Sequence, residues 1–286
     1  MNRAIHSVEL PGGPRLDYVE QGDHSGVPLV LLHGYTDYWR SFEPVLSHLP
    51  SEVRAFALTQ RGQGDSARPA HGYGPHHFAT DVARFMDVLG IDAAIIAGHS
   101  MGSSVAQRFA LDHPGRTLGL ALIGAFTSWR RHPAVFELWT TTVSSLEDPV
   151  DPGFVREFQA STVARPVPPG LLDTAVQESL KVPARVWRAT FEAFLQADVA
   201  AELGSVQAPT LIISGEADPF CPWRAQEDLL GAIASSQLIL YAGAGHALHW
   251  EQPARFAADL VSFARSLSRR AEPPARTAAP IARAAA

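Results

Sequence analysis

The sequence has very little cysteine and no long apolar run. Its one cysteine, Cys221, excludes an intrachain disulfide and a zinc site built from several thiolates, so a reducing cytoplasm would suit the chain. No stretch approaches the roughly 18 consecutive apolar residues that cross a membrane. Residues 1–10 also lack the basic start and apolar run of a secretory signal. We therefore expect a cytoplasmic protein without membrane insertion.

The chain also lacks a surplus of positive charge. Its 23 Lys and Arg residues are outnumbered by 29 Asp and Glu residues, giving a formal net charge of −6. Such a balance does not indicate a surface that neutralises phosphates, and we expect no nucleic-acid partner. Internal repeats with periods of about 20–50 residues are absent, which disfavours solenoids and propellers. The expected partner is a small molecule, and the sequence is compatible with a monomer or a homodimer.

Short apolar runs alternate with helical patterns along most of the chain. The runs are bounded by turn residues, as in strands buried on both faces, and they occupy residues 27–33, 53–58, 93–97, 118–123, 209–214 and 237–241. The helical patterns occupy residues 77–89, 100–113, 223–233 and 253–267. This alternation predicts an α/β fold with a mostly parallel sheet flanked by helices. Residues 5–10 and 15–20 predict an antiparallel hairpin at the sheet edge.

The alternation stops between residues 127 and 204. There the pattern is helical, is interrupted by prolines and contains no clear strand, so we predict an inserted helical cap over a core of residues 1–126 and 205–268. Residues 269–286 are rich in alanine, proline and arginine without apolar periodicity, which predicts a disordered tail.

The strongest local motif is Gly98-His99-Ser100-Met101-Gly102, which follows a predicted strand and opens a predicted helix. A sharp strand-to-helix turn leaves the serine hydroxyl exposed, and glycines two residues before and after it let neighbouring backbone approach closely. The helix dipole and the free amide of Met101 would favour the negative oxygen that forms when an acyl carbon is attacked. The motif thus predicts a nucleophilic serine.

A serine nucleophile needs a base and a carboxylate that orients the base. Asp218 follows the run at 209–214, and His246 follows the run at 237–241, so both extend from the carboxyl ends of predicted parallel strands. Ligands bind at that edge of open α/β sheets. His33-Gly34-Tyr35 follows another predicted strand, and the amides of Tyr35 and Met101 are the predicted oxyanion-hole donors.

These motifs together resemble those of the α/β-hydrolase superfamily, in its branch of serine hydrolases with a helical cap. The resemblance spans about residues 3–268 and implies an α/β-hydrolase fold with the chain order Ser100, Asp218, His246 for nucleophile, acid and base. It implies a reaction that needs no cofactor and no metal. The motifs are Leu32-His33-Gly34-Tyr35, Arg61-Gly62-Gln63-Gly64-Asp65-Ser66, Gly98-His99-Ser100-Met101-Gly102, Gly215-Glu216-Ala217-Asp218-Pro219 and Gly245-His246.

At this point the sequence leaves one alternative candidate for the orienting acid and one for the base. Glu216 competes with Asp218 for the orienting acid, and Asp218 is preferred because Pro219 follows it as in the family turn. His249 competes with His246 but lacks the Ala-Gly turn immediately before it.

The presence of a serine at residue 100 also indicates which type of substrate bond is cleaved. Relatives that open epoxides or displace halide place an aspartate there, so Ser100 implies acyl chemistry on a carboxylic ester or a lactone. Aromatic and apolar residues near the expected cleft favour an apolar or aromatic substrate. The candidate substrate contacts are His33, Gly34, Tyr38, Trp129, Trp139, Trp187 and Leu248.

Other reactions known in the family stay as alternatives. One is hydrolysis of carbon–carbon bonds in ring-cleavage products, which would need a basic pocket for a dienoate. Another is a receptor-like member that binds a small ligand and turns over slowly. Perhydrolysis is disfavoured because Thr36, and not a proline, follows Tyr35.

Overall fold

The computed structural model describes residues 3–271 and contains one 8-stranded sheet. Its strands are β1 (His6–Glu9), β2 (Arg15–Gln21), β3 (Val27–Leu32), β4 (Val53–Thr59), β5 (Ala94–His99), β6 (Thr117–Ile123), β7 (Thr210–Gly215) and β8 (Ser236–Tyr241). They lie in the order β1-β2-β4-β3-β5-β6-β7-β8. Pairing is antiparallel between β1 and β2 and between β2 and β4, and parallel throughout the rest. The predicted mostly parallel sheet with an edge hairpin is confirmed.

Helices cover both faces of this sheet. They are α1 (Glu43–Leu46), α2 (Pro75–Val88), α3 (Met101–Asp112), α4 (Pro133–Thr141), α5 (Pro152–Ser161), α6 (Leu171–Leu180), α7 (Ala184–Gln196), α8 (Trp223–Ala232), α9 (Leu248–Glu251) and α10 (Pro253–Ala271). Within β3, Val30 and Leu32 pack in the core shared with α2 and α3. Leu29 and Leu31 pack in the opposite core, with α1, α9 and α10. This two-sided burial explains why β3 is a continuous apolar run.

Residues 124–209, which we call the inserted segment, connect β6 to β7. They contain the α-helices α4 to α7, and their β pairing is an isolated bridge between Ser128 and Asp198. Helix α7 is amphipathic: Trp187, Phe191 and Phe194 lie on its buried face. The predicted cap, residues 127–204, falls inside this segment.

Helix α10 is longer than the sequence pattern predicts. It continues to Ala271 and so includes the first three residues of the predicted tail, 269–271. The remainder of the predicted tail, residues 272–286, lies outside the described residues. Within residues 3–271, no helix combines the length and the apolar character that crossing a membrane requires.

The turn between β5 and α3 is held against the end of β3 by very close backbone contacts. A Cβ atom on Gly102 would lie 2.2 Å from the carbonyl oxygen of Leu32, and one on Gly98 would lie 2.0 Å from the carbonyl oxygen of Gly102. Backbone atoms cannot rotate away as a side chain can, so both positions require glycine.

Replacing Gly102 with alanine should therefore destabilise the fold by about 3 kcal/mol or more, because β3 or α3 must shift to admit one methyl group. Gly231→Ala on α8 is the matched control, since nothing lies within 4 Å of its Cβ position. That change should stabilise the protein by about 0.5–1 kcal/mol. Urea unfolding of both variants measures the difference, and equal stabilities would contradict the steric account.

Candidate active site

Ser100 occupies the strained turn between β5 and α3. Its backbone has φ 51° and ψ −115°, a left-handed conformation that is rare for residues other than glycine. Met101 is the first residue of α3, so its amide has no acceptor one turn earlier in the helix. The serine therefore lies at a helix N-terminus, where negative charge is stabilised.

Asp218 and His246 are in contact after β7 and β8. The Nδ1 of His246 lies 2.8 Å from Oδ2 of Asp218, while Oδ1 accepts hydrogen bonds from the amides of Phe220 (2.8 Å) and Cys221 (2.9 Å). Burial alone would raise the pKa of Asp218, but the imidazole and the two amides outweigh burial and hold this pKa below its usual value. An ionised carboxylate only accepts, so Nδ1 donates and Nε2 is left to accept a proton.

The rival acid and the rival base are engaged elsewhere. Glu216 accepts a hydrogen bond from the amide of Gly243 at 2.8 Å. His249 is fully buried, and its Nε2 lies 3.1 Å from the hydroxyl of Ser41. Burial lowers the pKa of His249 to about 3, with a smaller contribution from the charge of His246. Of these candidates, Asp218 and His246 form the acid–imidazole pair.

Ser100 and His246 line one pocket together with Gly34 and Tyr35. Among the hydrogen bonds of residues 3–271, none joins the Ser100 hydroxyl to the imidazole. Catalytic hydrogen bonds are often long in a free enzyme and shorten when substrate binds. The pocket thus brings together the predicted nucleophile, the predicted base and residues 33–37 after β3. We call residues 33–37 the oxyanion loop, because they include Tyr35, a predicted oxyanion-hole donor.

The lining of this pocket combines aromatic, aliphatic and polar side chains. It consists of Gly34, Tyr35, Asp37, His99, Ser100, Phe126, Trp129, Val135, Leu138, Phe158, Gln159, Thr162, Phe191, Phe220, His246 and Trp250. Gly34 and Trp129 are thus the predicted substrate contacts that the structure places at the pocket.

Tyr35 anchors the oxyanion loop to the inserted segment. Its hydroxyl donates a 2.6 Å hydrogen bond to the carbonyl oxygen of Trp187. Its ring packs edge-on against Trp129, Phe158 and Phe191, with centroid distances of 6.2, 6.1 and 5.4 Å. These contacts fix the backbone on which the predicted donor amide lies.

The structure places two other predicted aromatic contacts behind the pocket wall. Trp187 is fully buried, and its Nε1 donates to the carbonyl oxygen of Val182 at 3.1 Å. Trp139 stacks on Phe191 with a centroid distance of 5.8 Å. Both rings support lining residues and are not themselves part of the lining.

Tyr38, Leu248 and His33 also lie outside the lining. Tyr38 and Leu248 belong to the core that faces α1 and α10. His33 is fully buried, and its Nε2 accepts the amide of Gln60 at 2.9 Å. Burial lowers the pKa of His33 to about 4, and its hydrogen bond to the carbonyl of Gly34 opposes this shift. His33 therefore joins the ends of β3 and β4 and does not face substrate.

Sequence reasoning missed Asp37, which lies two residues beyond Tyr35 and lines the pocket. Its carboxyl accepts hydrogen bonds from Nε2 of Gln159 (3.2 Å) and from the hydroxyl of Ser41 (3.3 Å). Burial raises its pKa to about 7, although these bonds and the charge of His246 act in the opposite direction. The sequence around Asp37 contains no signal of this burial, which becomes visible only in the folded structure.

The family of the chain follows from comparison with known proteins. The alpha/beta hydrolase fold family matches residues 27–253. The chain belongs to this family. It is 26% identical to the AB hydrolase superfamily protein YisY of Bacillus subtilis over 261 residues, which cover 87% of this chain and 95% of that protein. It is 25% identical to a non-heme haloperoxidase of Rhodococcus erythropolis over 281 residues, covering 91% and 99% of the two chains.

A solved esterase structure extends the likeness to three dimensions. Esterase RhEst1 from Rhodococcus sp. ECU1013 superimposes with a TM-score of 0.81 at 27% identity, and the match covers 92% of this chain and 99% of that one. The two chains therefore share one fold over nearly their whole lengths.

Within residues 3–271 of this hydrolase, the side chains that come nearest to a metal-binding group are those of Asp218, Cys221 and His246. They offer ligand atoms within 4.8 Å of one another. The thiol of Cys221 donates instead to the carbonyl of Gly124 at 3.1 Å, and burial raises the thiol pKa well above its ordinary value. A thiolate is the form that binds metal, so these residues do not fit a metal centre.

The raised pKa of Asp37 predicts a pH-dependent stability. Between the ordinary carboxyl pKa of 3.8 and about 7, the folded protein keeps a proton that the unfolded chain releases, so the free energy of unfolding falls as pH rises. Asp37→Asn removes this decrease in the free energy of unfolding, because an asparagine side chain does not titrate. Its stability relative to the parent should rise between pH 4 and 8 by on the order of 3 kcal/mol.

The informative quantity is the difference in the free energy of unfolding between Asp37→Asn and the parent protein. The buried His33 and His249 give the opposite pH dependence, but they are present in both proteins and cancel. Asp173→Asn is the control, because this exposed carboxylate pairs only with exposed Arg156. Denaturant unfolding across the pH range measures both differences, and a flat difference for Asp37→Asn would contradict the assignment.

Proposed function

We propose that the protein is a serine hydrolase that cleaves carboxylic esters or lactones. The observation that supports this most directly is the 2.8 Å contact between Asp218 and His246 beside the pocket that contains Ser100. The imidazole is oriented by an ionised acid, and the serine lies at a helix N-terminus. These are the parts that acyl transfer requires.

The proposed reaction proceeds through an acyl-enzyme. The Ser100 hydroxyl attacks the carbonyl carbon while Nε2 of His246 takes its proton, and the Asp218 carboxylate stabilises the resulting imidazolium. The amides of Tyr35 and Met101 stabilise the developing oxyanion. His246 then gives the proton to the leaving alcohol as the ester C–O bond breaks. A water molecule deprotonated by the same imidazole attacks the acyl carbon, and His246 passes this proton to the Ser100 oxygen as the acyl-enzyme bond breaks and the acid leaves. No metal or cofactor takes part in this scheme.

Two features favour acyl chemistry over the other reactions. A serine nucleophile suits acyl transfer, whereas an alkyl-enzyme ester from an epoxide or halide would need a carboxylate in that position. The pocket lining contains no Lys or Arg, and Asp37 would repel a carboxylate. Hydrolysis of a dienoate from ring cleavage, which needs a basic pocket, is therefore disfavoured.

The apolar lining supports an apolar or aromatic substrate group. Trp129, Val135, Leu138 and Phe191 come from the inserted segment. We propose that this segment, including residues 127–204, acts as the cap of the active site and determines which substrates fit.

Ser100→Ala should lower kcat for an aryl ester by about 10⁴-fold or more, because no nucleophile is left while the fold is kept. Ser47→Ala, at an exposed serine after α1, is the matched control and should keep the parent rate. Steady-state hydrolysis and labelling with a fluorophosphonate measure both variants. Full activity of Ser100→Ala would reject the assignment.

Trp129→Ala should lower kcat/KM for an aryl ester by about tenfold, because the ring lines the pocket and also packs against Tyr35. Trp223→Ala removes the same side chain where it is 53% exposed, at the start of α8. That control should leave kcat/KM within twofold. An equal effect of the two substitutions would contradict a substrate contact at Trp129.

A further inference from the structure

Several polar residues of the pocket lining come from elements other than α4 and α7, the helices that supply Val135, Leu138 and Phe191 to its apolar part. Asp37 lies in the loop after β3, and Gln159 and Thr162 lie at the C-terminal end of α5. His99, the last residue of β5, also lines the pocket. An apolar ester would offer these residues no hydrogen bond and no charge beyond the contacts that they already make within the protein. The hydrogen bonds that these residues make, and those that they lack, therefore indicate which polar group a substrate carries in addition to its ester.

Asp37 has acceptor capacity that the protein does not use. Its carboxylate has about four lone-pair sites, and the hydrogen bonds from Gln159 and Ser41 are long, at 3.2 and 3.3 Å, and come from neutral donors. Among residues 3–271, no Lys, Arg or His forms an ion pair with it. Because Asp37 is only 5% exposed, its charge is costly without a cation.

His99 supplies a second acceptor beside the first. Its Nε2 lies 3.1 Å from the carbonyl oxygen of His246, so Nε2 donates and Nδ1 is left as an acceptor. That Nδ1 is buried and has no hydrogen-bond partner among the described residues. Nδ1 of His99 and Oδ2 of Asp37 lie 2.9 and 3.3 Å from the same point, the Cβ position of Gly34. Both acceptors therefore adjoin the oxyanion loop.

We propose that Asp37 and His99 form a subsite for a protonated amine carried by the substrate close to its scissile carbonyl. The proposal rests on the function proposed above, since it describes one part of the same substrate. An ammonium group supplies several donors and the positive charge that the lining lacks. A hydroxyl supplies one donor and no charge, so it satisfies the two acceptors less well.

Three aryl esters of nearly equal shape test the subsite by hydrolysis: the 4-nitrophenyl esters of 3-aminopropanoate, 3-hydroxypropanoate and butanoate. The readout is the ratio of kcat/KM for the amino ester to kcat/KM for butanoate. Comparing this ratio between variants cancels the intrinsic reactivity of each ester. Asp37→Asn should lower the ratio at least tenfold at pH 7.5.

Two controls separate recognition from folding and from general electrostatics. Asp173→Asn removes the same charge at an exposed site and should keep the ratio within twofold. Fluorophosphonate labelling of Ser100 and thermal melting establish that Asp37→Asn is folded. An unchanged ratio, or an equal loss on all three esters, overturns the proposal. A ratio that falls equally for the hydroxy ester also overturns it, in favour of a neutral donor.

A binding measurement keeps the proposal independent of ester hydrolysis. Trp129 and Trp250 line the pocket, so tryptophan fluorescence can report occupation. In Ser100→Ala, n-butylammonium should bind at least tenfold more tightly than n-butanol, and adding Asp37→Asn should abolish that preference. Equal affinities overturn the subsite. If the parent protein hydrolyses none of the esters while Ser100→Ala still prefers n-butylammonium, the subsite is supported and the serine hydrolase is rejected.

Discussion

The close packing of the Ser100 turn on the end of β3 is the constraint on which the site depends. Carbonyl oxygens of β3 leave no room for a Cβ atom at Gly102, so α3 begins directly against the sheet. The serine is thereby held in a conformation with φ 51°, at the position where α3 presents its free amides. Strain of this kind persists only when the surrounding packing determines it. Ser100, the proposed nucleophile, is thus positioned by backbone contacts, and the loops after β3, β7 and β8 surround it.

The loop after β3 connects the core to the inserted segment through contacts of three consecutive residues. Tyr35 donates to the carbonyl of Trp187, Thr36 lies 3.0 Å from the hydroxyl of Ser179, and Asp37 accepts from Gln159. These partners belong to α7, α6 and α5, respectively. The backbone proposed to form the oxyanion hole is therefore fixed from both sides, and displacement of the inserted segment would also displace that amide. Substrate fit and transition-state stabilisation are mechanically linked in this arrangement.

Local patterns were sufficient to predict the sheet and the contact between Asp218 and His246. Each buried strand is an apolar run, and Asp218 and His246 follow such runs, so their meeting at one sheet edge required only the parallel topology. The substrate contacts did not follow in the same way. Trp187 and Leu248 are apolar residues near the site in sequence, yet their orientation depends on how α7 and α9 pack, which no local pattern specifies. Asp37 escaped notice because its importance comes from burial, a property of the whole fold.

Burial also determines which acidic group and which imidazole carry charge. Asp218 and Asp37 are both buried aspartates, but Asp218 receives two backbone amides and an imidazole, whereas Asp37 receives two long hydrogen bonds from neutral side chains. The pKa of the first is lowered and that of the second is raised to about 7. Within residues 3–271, neither His99 nor His249 forms an ion pair with a carboxylate, and burial lowers the pKa of each. His246 is thus the imidazole that contacts an ionised carboxylate, as the proposed general base requires, and Asp37 is a buried acid that has no cationic partner among residues 3–271.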